Sequence, residues 1–310
     1  MPENRKASNW FSPDMWSHWS RRKRWLVSLR AAFLLVVAAV AAGLSCFLSV
    51  PAVPLPTGVK HRTEKFTLAG KVVAVDFYLP PWSGPAPVVV VAHGFTRNRR
   101  TMAGWGGRLA SEGFLAVVPD LPTWADHARN GRALAGLLVK VQAGELPGLP
   151  KPSGRAALVG FSAGGFSTLL AAAGNTNVAC WIGLDPVAMG RTATQAAESL
   201  RIPAFVLRAE PAPWNAHGNA RQIFAALPGP AFSLAVNQAT HVDAENPTSR
   251  AADWACGQSD PARRGVFGRY LLASLQAGLL GDPAAWRQLH TATNDASVRE
   301  VVSRKLEKLP

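Results

Sequence analysis

Cysteine and acidic residues are both scarce in this chain of 310 residues. The three cysteines occur at unrelated spacings, which excludes a disulfide framework and a cysteine-based zinc site. Charged residues make up only 17% of the chain and hydrophobic residues 48%, which excludes a disordered, collagen-like or coiled-coil protein. The composition therefore predicts a folded protein with a sizeable core.

The 19 acidic residues are outnumbered by 33 basic ones, and the excess is concentrated near the N-terminus. Residues 1–65 hold 10 lysines and arginines against 3 acids, whereas the rest of the chain holds 23 against 16. After residue 65 the arginines are scattered and form no basic stripe interleaved with aromatic residues. We therefore do not expect the protein to bind nucleic acid.

The N-terminal segment contains a long apolar run, with no charged residue from Ala31 to Val50. As a helix this run would be roughly 30 Å long, which matches the thickness of a bilayer core. The basic cluster at 21–24 precedes it, and four tryptophans lie on the same side, at positions 10, 16, 19 and 25. Basic residues mark the cytoplasmic side of a membrane, and tryptophans prefer its interface.

These features predict a basic, Trp-rich cytoplasmic tail over residues 1–24 and a transmembrane anchor over 25–50. The protein would then be a single-pass protein of the cell inner membrane, with its catalytic body facing the periplasm or the outside. A cleaved signal segment is the alternative and would release a secreted protein. Lipidation of Cys46 is a third interpretation.

The remaining chain alternates short apolar runs with helical stretches. We expect a Pro-rich tether over 51–64, a catalytic domain over 65–290 and a polar C-terminal tail over 291–310. A hairpin is predicted first (Phe66–Ala69 and Val72–Leu79), and then six buried strands: Val88–Ala92, Leu115–Val118, Ala156–Val159, Ala179–Leu184, Ala204–Leu207 and Phe232–Val236. The predicted helices are Thr101–Ser111, Ala125–Gln142, Ala163–Ala173, Ala216–Leu227 and Ala262–Leu280. This alternation predicts one α/β domain with a mainly parallel central sheet, helices on both faces and no separate lid domain.

The strongest chemical signal is Gly160-Phe161-Ser162-Ala163-Gly164-Gly165, which follows a predicted strand and precedes a predicted helix. A nucleophile at such a turn has a strained backbone, and the glycines leave room for close neighbours. The helix N-terminus adds backbone N–H groups and a positive dipole end. We predict that Ser162 is a nucleophile.

A serine nucleophile needs a base that is held in place by an acid, in the chain order Ser, acid, His. Of the histidines after Ser162, His241 follows the last predicted strand, whereas His217 begins a helix and His290 lies in the polar C-terminal stretch. His241 is therefore the predicted base. A metal site formed by His241, Asp243 and Glu245 is a weaker alternative, because no second ligand cluster accompanies it.

Two acids remain candidates for the third position. Asp185 and Glu210 end successive predicted strands, and each precedes a proline. Both lie at the carboxyl ends of strands, where catalytic groups gather in open α/β sheets. We favour Asp185 and keep Glu210 as the alternative.

The loop His93-Gly94-Phe95 follows the third predicted strand, where a second oxyanion-hole donor is expected. The backbone N–H groups of Phe95 and Ala163 would then face the developing oxyanion. His93 is interpreted as a structural residue that braces this loop.

Four motifs together resemble the chlorophyllase branch of the α/β-hydrolase superfamily: His93-Gly-Phe95, Gly160–Gly165, Gly183-Leu-Asp185-Pro-Val187 and His241-Val-Asp-Ala-Glu-Asn-Pro247. Cutinase-like polyester hydrolases and platelet-activating-factor acetylhydrolases are similar in layout. The resemblance covers about residues 62–280. It implies cofactor-free hydrolysis of carboxylic esters, with Ser162 as nucleophile, His241 as base and Asp185 as acid.

The predicted function is that of a membrane-tethered serine esterase acting on a small-molecule or lipid-like ester. A catalytically silent binding module of the same fold and an acyl transferase with the same triad are the alternatives. Four tryptophans near predicted loops are candidates to line an apolar groove: Trp82, Trp105, Trp124 and Trp214. A disulfide between Cys180 and Cys256 stays open.

Overall fold

A computed structural model describes residues 49–188 and 190–305 of the chain. Within these residues nine strands form one sheet: β1 (Lys60–Leu68), β2 (Lys71–Leu79), β3 (Val88–Ala92), β4 (Leu115–Pro119), β5 (Ala156–Phe161), β6 (Val178–Leu184), β7 (Ala204–Arg208), β8 (Ala231–Val236) and β9 (Val298–Arg304). The described helices are α1 (Ala103–Ser111), α2 (His127–Gln142), α3 (Ala163–Ala172), α4 (Gly190–Ser199), α5 (Ala220–Ala226), α6 (Arg250–Cys256), α7 (Pro261–Gly278) and α8 (Pro283–His290).

The strand order in the sheet is β1-β2-β4-β3-β5-β6-β7-β8-β9. The six strands from β4 to β8 in this order are parallel, whereas β1, β2 and β9 pair antiparallel at the two edges. The parallel strands are apolar over nearly their whole length because helices cover both of their faces. The predicted α/β fold with a mainly parallel sheet is confirmed.

Two apolar cores lie on opposite faces of the sheet. One core packs the sheet against α1, α7 and α8, through residues such as Trp105, Phe267 and Trp286. The other packs it against α2, α3, α4 and α5, through residues such as Leu137 and Phe166. Because the carboxyl ends of the parallel strands meet at one edge, their loops are brought together above the sheet.

Strands also lie in both segments that flank the predicted domain of residues 65–290. β1 begins at Lys60, inside the predicted tether of residues 51–64, because its polar residues pair with β2 while its outer side stays exposed. The predicted polar tail of 291–310 contains β9, which pairs antiparallel with β8. β9 combines the half-buried valines Val298 and Val301 with charged residues such as Arg299, as suits an edge strand.

The predicted cytoplasmic tail and all but the last two residues of the predicted anchor lie outside the described residues. None of the helices in the described part of the chain is long and apolar enough to cross a bilayer.

Cys180 and Cys256 are both free thiols, so the structure does not support the disulfide that the sequence left open. Cys180 is buried in β6, close to Gly278 of α7. Cys256 ends α6, above the carboxyl edge of the sheet. Burial raises the pKa of Cys256 to about 11, which keeps its thiol protonated at neutral pH.

Candidate active site

Ser162 occupies the turn between β5 and α3 in a strained conformation, with φ of 53° and ψ of −124°. A Cβ on Gly160 would collide with Gly164 O and Thr168 Oγ1, and a Cβ on Gly164 would collide with His93 O. The glycines are therefore required by the close approach of α3 to β5 and to the loop after β3. The turn places Ser162 above the middle of the sheet with only 7% of its surface exposed.

His241 begins a short 3-10 helix, His241–Ala244, in the loop after β8. Its Nε2 lies 3.0 Å from Ser162 Oγ, and its Nδ1 lies 2.6 Å from Asp185 Oδ2. The imidazole ring packs against the ring of Phe161, with the two centroids 4.7 Å apart. With a carboxylate at Nδ1, that nitrogen carries the proton and Nε2 is free to accept one from the serine.

The His241 loop is anchored by the buried carboxylate of Asp243. Asp243 Oδ2 accepts from Thr240 N at 2.7 Å and from Arg263 Nε at 2.6 Å. Asp243 Oδ1 accepts from Asp260 N at 2.7 Å. These bonds fix the first turn after Thr240, from which the imidazole projects.

Asp185 follows β6 in a left-handed conformation, with φ of 43°. Besides His241, its carboxylate accepts from Ala209 N at 3.0 Å and from Asn215 Nδ2 at 2.9 Å. The carboxylate of Glu210 lies elsewhere: it accepts from Gln238 N at 3.2 Å and pairs with Arg299 at 3.1 Å. The structure thus joins Asp185, and not Glu210, to His241.

The loop after β3 lies directly beside the serine. A Cβ on Gly94 would come within 3.1 Å of the Ser162 Cβ, so the backbone that leads to Phe95 passes next to Ser162. No hydrogen bond among the described residues uses the Phe95 N–H. Ala163 is the first residue of α3, so its N–H has no acceptor within the helix.

His93 braces this loop with both ring nitrogens. Its Nδ1 donates to Gly94 O at 2.9 Å, and its Nε2 accepts from Leu121 N at 2.9 Å. Burial lowers the pKa of His93, although the bond to Gly94 and the charge of Asp120 oppose that shift. The neutral ring therefore serves as the structural residue that the sequence predicted.

The chain's sequence also matches a family of known hydrolases. The model of the PETase family, described as PET hydrolase-like, matches residues 69–245, which is more than half of the chain. The chain belongs to this family. The match spans Ser162, Asp185 and His241, and it confirms the resemblance to the α/β-hydrolase superfamily and its polyester-hydrolase branch. No curated protein sequence is similar enough to count as a match.

This PET hydrolase-like protein has a shallow cleft of about 240 Å³ at Ser162 and His241. The other residues that line it are Phe95, Thr96, Arg97, Phe161, Trp214, Ala251, Ala252, Ala255 and Cys256. Between β6 and β7 the described chain has a single ten-residue helix, α4, so this connection does not carry a lid domain.

Of the four tryptophans predicted to line a groove, two lie near the site. Trp214 lines the cleft, and Trp124 borders a smaller depression beside Phe95 and Ala163. Trp105 is buried and donates through Nε1 to Ala244 O at 2.9 Å, which supports the His241 loop from below. Trp82 packs near Gly113, which precedes the amino end of β4 on the opposite edge of the sheet.

Within the described residues, no group of three or more His, Cys, Asp or Glu side chains is arranged to hold a metal ion. Asp243 and Glu245 instead pair with Arg263 and Arg97.

Two residues near the site, Asn215 and Arg97, were not predicted from the sequence, and Glu245 was considered only as a metal ligand. Asn215 bonds to Asp185, while Arg97 and Glu245 pair beside the cleft. No local motif marks these two contacts, because the partners lie 30 and 148 residues apart in the chain. Helix α6, which forms one wall of the cleft, was also missed. Its N-cap, where Ser249 accepts from Ala252 N, was the available signal.

Proposed function

We propose that the protein is a serine hydrolase that cleaves carboxylic esters through an acyl-enzyme. The observation that carries this proposal is the continuous chain of contacts from Ser162 Oγ to His241 Nε2 at 3.0 Å and from His241 Nδ1 to Asp185 Oδ2 at 2.6 Å. Membership of the PET hydrolase-like family supports the same class of reaction.

In the acylation step, Ser162 Oγ attacks the ester carbonyl carbon while His241 Nε2 takes the hydroxyl proton. The negative charge that forms on the carbonyl oxygen is stabilised by the N–H groups of Phe95 and Ala163. Each such donor contributes about 3–4 kcal/mol to transition-state stabilisation. The imidazolium then protonates the departing alcohol, and the acyl group remains on Ser162.

In the deacylation step, water takes the position of the alcohol, its oxygen attacks the acyl carbonyl carbon, and it gives a proton to His241 Nε2. The resulting tetrahedral intermediate collapses, the acid is released and the proton returns to Ser162 Oγ. Asp185 keeps the Nδ1 proton on the imidazole throughout and stabilises the imidazolium.

We propose a substrate with an exposed ester, such as a polyester segment or a lipid-like ester. The cleft supports this because it is shallow and lined by Phe95, Trp214 and small alanines. Phe95 and Trp214 are 55% and 54% exposed, so they offer apolar contact to a bulky substrate at the surface.

We propose in addition that residues 25–50 tether this domain to the cell inner membrane, facing the periplasm or the outside. The support is the apolar run from Ala31 to Val50 and the basic cluster before it. Expressed full chain should sediment with membranes and resist carbonate extraction. A mature chain that begins after residue 50 and is recovered in the soluble fraction would show a secreted protein instead.

Hydrolysis of 4-nitrophenyl butyrate by the purified full chain tests the proposed reaction. We expect turnover that falls at least about 10³-fold in Ser162→Ala, because the nucleophile is lost. Ser199→Ala is the matched control, since this serine is exposed on α4 and should keep wild-type activity.

A folded wild-type chain that hydrolyses no short-chain ester would favour the silent binding module. Preferential formation of a new ester when an alcohol acceptor is added to the assay would favour the acyl transferase.

A further inference from the structure

Arg97 places a fixed positive charge in the wall of the cleft. It follows Phe95 by two residues in the loop after β3, and it lines the same cleft as Ser162 and His241. Among the described residues that line this cleft, it is the one lysine, arginine or carboxylate. The remaining surface is aromatic, small or weakly polar.

Glu245 holds Arg97 in one orientation. Arg97 Nε donates to Glu245 Oε1 at 2.6 Å, and the Glu245 side chain is fully buried in the His241 loop. Burial raises the pKa of Glu245, while the adjacent charge of Arg97 opposes that shift. The pair therefore links the loop of the oxyanion donor to the loop of the base and fixes the plane of the guanidinium.

The bond to Glu245 uses Nε and leaves the terminal edge of the guanidinium free. No hydrogen bond or ion pair within the described chain uses Arg97 Nη1 or Nη2, and 20% of the side chain is exposed. Two parallel N–H groups on a planar guanidinium match the two oxygens of a carboxylate. An arginine that is held by a buried acid and has this edge free is suited to binding a ligand.

We propose that Arg97 is a specificity residue that binds a carboxylate carried by the substrate, so that half-esters of dicarboxylic acids are preferred over neutral esters. This inference rests on the proposed ester hydrolysis at Ser162. Because Arg97 and Ser162 share one cleft of about 240 Å³, the carboxylate binds within a few bonds of the scissile carbonyl. Hydrolysis of a polyester leaves such carboxylates at chain ends.

The test compares two esters of equal acyl length: the mono-4-nitrophenyl ester of adipic acid, which carries a carboxylate, and 4-nitrophenyl hexanoate, which does not. The measured quantity is the ratio of their kcat/KM values. Removing Arg97 alone would leave a buried, unpaired carboxylate, so the variant is Arg97→Gln combined with Glu245→Gln. We expect the ratio to fall about tenfold, mainly through a higher KM for the adipate, because a charged hydrogen-bond pair is lost.

Three further variants separate charge, orientation and long-range attraction. Arg97→Lys keeps the charge without the bidentate edge and should retain only part of the preference. Glu245→Gln keeps Arg97 with a neutral partner and should retain more of the preference than the double variant. Arg100→Gln removes an exposed arginine that does not line the cleft, and the ratio should stay within twofold of wild type.

A double variant whose ratio stays within twofold of wild type would overturn the proposal. An equal loss in Arg100→Gln would also overturn it, because the preference would then come from overall charge. If the wild type hydrolyses neither ester, the proposed function fails. If it hydrolyses both and the ratio is independent of Arg97, only this inference fails. Circular dichroism and thermal melting establish that each variant is folded.

Discussion

The two carboxylates at the ends of β6 and β7 occupy equivalent places in the sheet and have different surroundings. Asp185 is 1% exposed and accepts from His241, Ala209 N and Asn215. The Glu210 side chain is 33% exposed and pairs with Arg299 on β9. An acid at the carboxyl edge of the sheet is therefore a candidate for a catalytic role. Whether it can contact the histidine depends on the residues that surround it in space.

The local backbone explains the difference. Asp185 turns in a left-handed conformation directly after β6, and its N–H bonds to Leu207 O at 2.6 Å, which keeps its short side chain beneath His241. Glu210 bonds through its N–H to Ala239 O, and its longer side chain extends toward the β8–β9 edge. We therefore propose that Asp185 takes part in the chemistry and that Glu210 supports the sheet edge.

Replacing each of the two acids in turn should give the largest difference in activity between the two positions. We expect Asp185→Asn to lower kcat about 10⁴-fold, because an amide at this position favours the wrong tautomer of His241. Glu210→Gln should lower kcat less than threefold. Steady-state hydrolysis of 4-nitrophenyl butyrate by both variants measures the contrast, and a larger loss in the Glu210 variant would reverse the assignment.

Asn215 contacts both Asp185 and Glu210, and its replacement should have a smaller effect on kcat than that of Asp185. Its Nδ2 donates to Asp185 Oδ2 at 2.9 Å and to Glu210 O at 2.8 Å. We expect Asn215→Ala to lower kcat about tenfold with little change in KM, and to cost about 1–3 kcal/mol of unfolding free energy, because a buried carboxylate loses a donor.

Asn219→Ala is the matched control for Asn215→Ala. Asn219 makes two hydrogen bonds to the backbone of Ala188 and does not contact Asp185. Asn219→Ala should lower the free energy of unfolding but change kcat much less than Asn215→Ala does. Equal losses of kcat in the two variants would mean that Asn215 acts only through the fold.

The Glu210–Arg299 pair should contribute little to stability, since both side chains are more than 30% exposed. We expect Arg299→Gln to lower the unfolding free energy by less than about 1 kcal/mol in chemical denaturation, and to leave kcat within twofold. A strong loss of activity in this variant would contradict the view that the sheet edge at Glu210 and Arg299 does not take part in the reaction at Ser162.

The smallest effect concerns Glu300, which also holds β9. Burial raises its pKa, but hydrogen bonds and charge from Arg208 and Arg221 outweigh burial and lower the pKa below the ordinary value of a glutamate. The contacts of Glu300 with the two arginines therefore stabilise the fold at pH values above the pKa that Glu300 has in the unfolded state. That contribution is lost as the pH falls through the lower pKa that Glu300 has in the folded state.

Melting temperatures of the wild type and Glu300→Gln test this dependence. The difference between them should be present at pH 7 and should shrink in acid, as the pH falls from the pKa of the unfolded state through the lower pKa of the folded state. A difference that grows toward acid pH would contradict the assignment of the shift to the arginines.

The sequence predicted the central sheet well because its strands are buried on both faces. The predicted strand at Val88–Ala92 is unchanged in the structure, and the other parallel strands differ by one or two residues. β9 was missed because its charged residues pair with Arg208 and Glu210, which lie about 90 residues earlier in the chain.

The candidate site was predictable where a local motif marks it. The glycines around Ser162 and the chain order of serine, acid and histidine identified Ser162 and His241 as candidates for nucleophile and base. The choice between Asp185 and Glu210 stayed open because both end strands and precede prolines. The pairing of Arg97 with Glu245 had no local signal, since it depends on how two distant loops approach each other.

The most direct test of the account is the reaction of the folded full chain with a fluorophosphonate probe, followed by intact-mass analysis and peptide mapping. We predict a single adduct on Ser162 that is lost in His241→Ala and kept in His290→Ala, a control at an exposed histidine on α8. Absence of an adduct on folded wild-type protein, or labelling of Ser162 at an unchanged rate in His241→Ala, would contradict the account.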